Sequence, residues 1–180
     1  MAKILLGVTG SIAAYKAAEL ARMFVRSGHE VKAIMTPAAT KFVSPLTFMT
    51  LTRNPVAVDE FAPPTEWKPG HISLAEWAEL VVVAPASANT LAKMRYGLAD
   101  NYLTSVLLAA KAPILVAPAM NTGMWENPVT QENLKALAAR GVKIVDPDEG
   151  ELACGTCGKG RMSEPEVVFA AAEKLLKGAQ

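Results

Sequence analysis

The sequence predicts a doubly wound, Rossmann-like α/β fold, a mainly parallel sheet with helices on both faces. Three observations predict it. Short, almost wholly apolar runs recur along the chain, as strands covered on both faces require. Segments with helical spacing follow them, so strand and helix alternate. The length of 180 residues fits one domain of about 100–200 residues. No internal repeat or interdomain linker divides it, so residues 1–180 are read as one unit.

Residues 3–9, KILLGVT, read as a buried strand ended by Gly10-Ser11. Residues 12–27 carry Ile12, Tyr15, Ala18, Leu20, Phe24 and Val25 at helical spacing, and Gly28 supplies the stop. Residues 30–36, EVKAIMT, read as a second strand and complete a β-α-β unit. Helical turns are expected over 38–42 and 45–51, then a Pro-rich surface loop over 54–70. The alternation resumes with a strand at 79–84, helices at 88–96 and 100–110, and a strand at 113–117. A helix at 128–140, stopped by Gly141, leads to a last short strand at 142–145, the fifth. The glycine-rich stretch 148–163 holds both cysteines and reads as a mobile flap. A helix over 165–177 closes the chain, with Pro165 suited to its first turn.

Composition narrows the function classes. Apolar residues make up 51% of the chain and charged residues 19%, against a norm of roughly 25% charged. That excludes a disordered chain. No run reaches the ~20 apolar residues of a membrane span; the oiliest stretch, Leu107 to Met120, is broken by Lys111, Pro113 and Pro118. An oily chain of this size is expected to bury surface against copies of itself. The net charge of +1 favours neither nucleic acid nor an anionic surface. Gly7 and Thr9 end the N-terminal apolar run too early for a signal peptide. A cytoplasmic location is expected, with Cys154 and Cys157 as thiols.

In a doubly wound sheet, ligands sit beyond the carboxyl ends of the strands. Four candidate segments lie there. Gly10-Ser11-Ile12, at the first strand-to-helix turn, can present backbone N–H groups to a phosphate or simply form a capped turn. It is not a Walker loop, because Lys16 lacks the upstream glycine and the following Ser or Thr. Thr36, ending the second strand, is a weaker partner of the same kind. Ser87, Ala88, Asn89 and Thr90 suit close approach of a flat ligand or phosphate, and equally an N-cap. Asn121, after Pro118-Ala119-Met120, carries an amide able to donate to a carboxylate. The fourth segment runs from Ala153 to Met162 and includes Cys-x-x-Cys. A structural zinc site needs about four ligands, and the histidines are only His29 and His71. No metal is therefore expected. A single reactive thiol on a glycine-hinged lid fits better. His71, opening the segment after the Pro-rich loop, is either a surface residue or the natural general base. His29, in a helix-to-strand turn, is read as surface.

Taken in order, these segments are far more specific than any one of them. Together with Gly97-Leu98-Ala99-Asp100-Asn101 and Met124-Trp125, they resemble the homo-oligomeric flavin-containing cysteine decarboxylases over about residues 3–177. Within that family the likeness is greatest to members acting on phosphopantothenoyl-cysteine in coenzyme A biosynthesis. The resemblance implies FMN and a decarboxylation that yields phosphopantetheine. The thiol is oxidised to a thioaldehyde, carbon dioxide is lost, and the enethiolate is reduced. It implies FMN contacts for Gly10, Ser11, Ile12, Thr36, Ser87, Ala88, Asn89 and Thr90. It implies a catalytic role for His71 in thiol deprotonation and oxidation, carboxylate binding for Asn121, and proton donation by Cys154. Met124, Lys159, Arg161 and Met162 would meet substrate, with 154–162 as a clamp.

The resemblance also implies a trimer, or a dodecamer of trimers, with each flavin between subunits. It further implies a phosphopantothenate–cysteine ligase domain, present in many bacterial members and missing from this chain. Two departures stand out: Thr156 occupies a position that is often acidic, and Cys157 is not a usual thiol position. Cys157 is a neutral filler or pairs oxidatively with Cys154. The rivals are a peptidyl-cysteine decarboxylase or flavin prenyltransferase of the same fold, and a non-catalytic FMN-binding regulatory protein.

Overall fold

A computed structural model describes residues 1–62, 67–151, 153, 155 and 157–178. Strand β1 (Lys3–Val8) is the centre of the sheet and is buried from Ile4 onward. Its side chains alternate between two cores. Ile4, Leu6 and Val8 enter one, and Leu5 enters the other. Helix α1 (Ala14–Arg26) returns the chain to β2 (Glu30–Met35), which pairs parallel to β1. A single 3₁₀ turn over Ala39–Lys41 and helix α2 (Pro45–Thr52) follow. The order continues through β3 (Val56–Ala57), α3 (Gly70–Trp77), β4 (Leu80–Ala86), α4 (Ala88–Tyr96) and α5 (Tyr102–Ala109). Then come β5 (Ile114–Pro118), α6 (Thr122–Glu126), α7 (Pro128–Ala139) and β6 (Lys143–Ile144). A hairpin of β7 (Asp148–Glu151) and β8 (Cys157–Arg161) precedes α8 (Pro165–Gly178).

The main sheet has the order β3-β2-β1-β4-β5-β6, and every pair is parallel. This is the doubly wound arrangement the sequence predicts, and the order reverses between β1 and β4. One face carries α1, α2 and α8, through residues such as Leu20, Phe24, Phe48 and Val168. The other carries α3, α4, α5 and α7, through Ala75, Leu91, Leu103 and Leu134. Each fully buried Leu or Phe contributes about 1.5–3 kcal/mol relative to exposure. The sheet is therefore held by both layers, and its strand ends are rigid platforms for the loops above them.

Several expectations need correction. The 54–70 segment is more than a loop. It delivers β3 to the sheet edge and the first residue of α3. Among the described residues the sheet has six strands, because β3 supplies one more than expected. The 148–163 segment, expected as a flap, contains a two-stranded antiparallel hairpin. Within 12–27, the helix begins at Ala14, and Ile12 and Tyr15 are exposed. Its inward side carries Ala14, Lys16, Ala17, Leu20, Ala21 and Phe24, and the small alanines let α1 lie close to the sheet. His29 is not a surface residue. Its side chain is 9% exposed, its Nε2 lies 2.7 Å from Glu173 on α8, and its Nδ1 accepts from the Ala2 amide. It ties the α1–β2 turn to α8. Among the described residues, no helix is long and apolar enough to cross a membrane.

Candidate functional site

A cleft of about 1130 Å³ opens above the carboxyl ends of β1, β2, β4 and β5. Its floor is set where the order of strands reverses. Thr9, at the end of β1 and fully buried, donates its hydroxyl to the Pro85 carbonyl at 2.7 Å. The same oxygen accepts from the Ser87 amide at 2.9 Å. The two strand ends are thus pinned while their helices leave toward opposite faces.

Two helix N-termini look into this space. At α4, Ser87 is the cap, with its Oγ accepting from the Thr90 amide at 3.3 Å. At α1, Ser11 Oγ accepts from the Ala13 amide at 3.3 Å. Neither helix has an acidic residue in its first turn, so both positive dipole ends are left for an anion. Gly10 is required by packing. A Cβ there would stand 2.6 Å from Cβ of Ala38, so a side chain would force the loops after β1 and β2 apart. These small, hydroxyl-bearing turns suit a flat ligand that carries a phosphate.

The structure brings Gly10, Ser11, Ile12, Thr36, Ser87, Ala88, Asn89 and Thr90 together on the cleft wall. Asn121, Met124, Arg161 and Met162 line the same space from β5, α6 and the hairpin. Asn121 caps α6, and its Oδ1 accepts from the Gly123 amide at 2.8 Å. Lys159 is not part of the lining. Its ammonium sits 5.5 Å from the ring centre of Trp125. His71 is not part of the lining either. It lies on α3, with Nδ1 2.8 Å from Oε1 of Glu60. Cys154 and Thr156 fall outside the described residues, and Cys157 carries an exposed free thiol.

The hairpin is fastened to the cleft at three points. The Met120 amide donates to the Gly160 carbonyl at 3.0 Å. Gly160 has φ +144°, and a Cβ would stand 2.3 Å from the Met120 oxygen, so only glycine permits this approach. The third point is Lys16, which sequence reasoning missed as a site residue. It is 5% exposed, donates to the Met162 carbonyl at 2.9 Å and pairs with Glu164 at 3.0 Å. A lysine four residues before Leu20, on the inward stripe of α1, was the available signal. Arg161 also pairs with Glu164. The hydrogen bond from Lys16 is the largest cause holding the Glu164 carboxyl below its ordinary value of 4.5. The charges of Lys16 and Arg161 add to it, against opposition from burial. On the far rim, hydrogen bonding from Lys93 likewise holds Asp100 below its ordinary value.

A family model described as Flavoprotein matches residues 1–177. The coenzyme A biosynthesis bifunctional protein CoaBC of Haemophilus influenzae is 46% identical over 168 residues, covering 93% of this chain and 42% of that protein. The chain thus spans about two-fifths of the length of this curated relative. A probable phosphopantothenoylcysteine decarboxylase of Streptococcus mutans is 45% identical over 176 residues, covering 97% of this chain and 98% of that one. Among solved structures, a mutant PPC decarboxylase complexed with pantothenoylaminoethenethiol is similar with a TM-score of 0.88 at 35% identity, covering 98% of each chain. The FMN binding protein AtHal3 is similar with a TM-score of 0.85 at 35% identity, covering 99% of this chain and 98% of that one.

The Glu164 contact gives a pH prediction. A carboxyl depressed in the folded state contributes stability that is complete above its unfolded value and lost as pH falls through its folded value. Thermal unfolding midpoints of wild type and Glu164→Gln should therefore differ near neutral pH and converge as pH falls below the ordinary carboxyl value of 4.5. A pH-independent gap would remove the Lys16–Glu164 contact as its cause.

Proposed function

The chain belongs to the flavoprotein family, and from that premise we propose that it binds FMN and decarboxylates phosphopantothenoyl-cysteine to phosphopantetheine in coenzyme A biosynthesis. One observation carries the reading. A single cleft at the strand-order reversal joins two uncharged helix N-termini to Asn121 and the hairpin. The first part suits a phosphorylated flat cofactor and the second a small acid beside it. The relatives' names point the same way.

The residues present fit FMN. The turns at Gly10-Ser11-Ile12 and Ser87 to Thr90 would hold its phosphate and flank its ring, with Thr36 beside them. When bound, FMN supplies the reversible two-electron oxidation that lets the cysteinyl carboxylate leave from a thioaldehyde and lets the enethiolate return to a thiol.

The chain's own groups do the rest. Asn121 donates its amide to the substrate carboxylate, with its orientation set by the α6 cap. Met124 and Met162 exclude water from that end of the cleft, and Arg161 supplies positive charge at its edge. His71 takes the thiol proton. Cys154 returns a proton to the enethiolate after carbon dioxide has left.

His71 lies outside the cleft lining of its own chain, and this reading assigns it to the cleft of a neighbouring subunit. Exposed apolar side chains support self-association: Ile12 and Tyr15 at the cleft, and Phe42, Leu46 and Met49 nearby in sequence. The reading is a homotrimer, alone or built into a dodecamer, working in the cytoplasm. Its functional partner is a phosphopantothenate–cysteine ligase, whose product is this enzyme's substrate.

Two experiments test the reading. Purified protein should be yellow with bound FMN, release carbon dioxide from phosphopantothenoyl-cysteine and form phosphopantetheine by mass spectrometry. Cys154→Ser should accumulate the decarboxylated enethiol. Colourless protein without turnover would sink the assignment, and normal turnover by Cys154→Ser would remove its proton-donor role. Co-expression of His71→Asn with Cys154→Ser, each inactive alone, should restore roughly a quarter of wild-type activity if one site draws these residues from two chains and the chains mix at random. No restoration would place both residues in one chain's site.

A further inference from the structure

Glu60 bridges two helices just after β3. Its Oε1 lies 2.8 Å from Nδ1 of His71 on α3, and its Oε2 accepts from Ser105 Oγ on α5 at 3.2 Å. The Glu60 side chain is 21% exposed and that of His71 30%. Both side chains are thus partly withdrawn from water, where a contact between them counts for more than at an open surface. The frame around them is close-packed. Gly70, at the head of α3, lies against the Tyr102 hydroxyl at the start of α5, and a Cβ there would overlap that oxygen. Burial first, and the charge of Glu60 second, raise the Tyr102 phenol above its ordinary value, so it faces the carboxylate as a neutral group.

We infer that Glu60 is the positioning residue for His71. The inference rests on the decarboxylase reading, in which His71 accepts the substrate's thiol proton. In that step the S–H bond breaks, its electron pair stays on sulfur, and the proton passes to Nε2, which has no hydrogen-bond partner among the described residues. The imidazole then carries a positive charge. Glu60, fixed on its far side by Ser105, balances that charge and holds the ring through Nδ1. Glu60 touches neither cleft nor substrate and acts only through His71.

The test uses the FMN-loaded protein and steady-state turnover of phosphopantothenoyl-cysteine. Glu60→Gln should lower kcat about tenfold or more, with KM and flavin content unchanged. Glu60→Asp, which keeps the charge on a shorter stem, should recover part of that loss. A structural role would instead lower flavin content or raise KM, and Asp would rescue no better than Gln. Either of those results overturns the inference, as does an unchanged kcat in Glu60→Gln. A wild-type holoenzyme without turnover overturns the decarboxylase reading and this inference with it, whereas an active wild type beside an unaffected Glu60→Gln overturns this inference alone.

Discussion

The hydroxyl of Thr9 sits where the sheet divides. Strands β1 and β4 are neighbours, yet the helices that follow them pack on opposite faces, α1 in one core and α4 in the other. Their ends would part and leave buried backbone groups unpaired. Thr9 spans the gap, donating to Pro85 and accepting from Ser87. Each such bond contributes about 0.5–1.5 kcal/mol net, but an unpaired buried group costs about 1–3 kcal/mol. The pin therefore sets the position of Ser87, hence the start of α4, and hence one wall of the cleft.

The other wall depends on the hairpin. Two strands alone are marginal in water, and β7–β8 has little apolar surface of its own. It is held from outside by the Met120–Gly160 bond, the close approach at Gly160, and Lys16. Lys16 is a buried cation satisfied by a carbonyl and a carboxylate, the condition under which a buried charge is tolerated. The hairpin is thus fastened at its exit, Gly160 to Glu164.

The sequence revealed most where one physical signal dominated. β1, β4 and β5 are buried on both faces and read as near-continuous apolar runs, and β2 is apolar but for the half-buried Glu30 and Lys32. The turns after them were legible because small and hydroxylated residues cluster there for a chemical reason. β3 was hidden because two residues carry no periodicity. α3 was hidden because its first turn follows a Pro-rich stretch and Ala75 alone of its residues is buried. The hairpin was hidden because Asp-Glu-Gly-Glu and Cys-Gly-Lys-Gly-Arg look like loop composition, and its order comes from tertiary anchors. Lys16 and Glu60 owe their positions to partners distant in sequence, which no local pattern encodes. His71 is a different case. It was found by residue type, but its partner Glu60 and its absence from the cleft of its own chain emerged only in three dimensions.

On the function proposed, the turn after β1 shares in holding the phosphate of FMN. Titration of Ser11→Asp with FMN and with riboflavin, followed by flavin fluorescence, tests it most directly. Aspartate keeps an acceptor for the Ala13 amide, so the turn and helix α1 are preserved. Its charge would oppose a phosphate but not the uncharged riboflavin tail. The account predicts FMN binding weakened about tenfold or more, the equivalent of about 1.4 kcal/mol, with little change for riboflavin. Equal affinity of wild type and Ser11→Asp for FMN would contradict it.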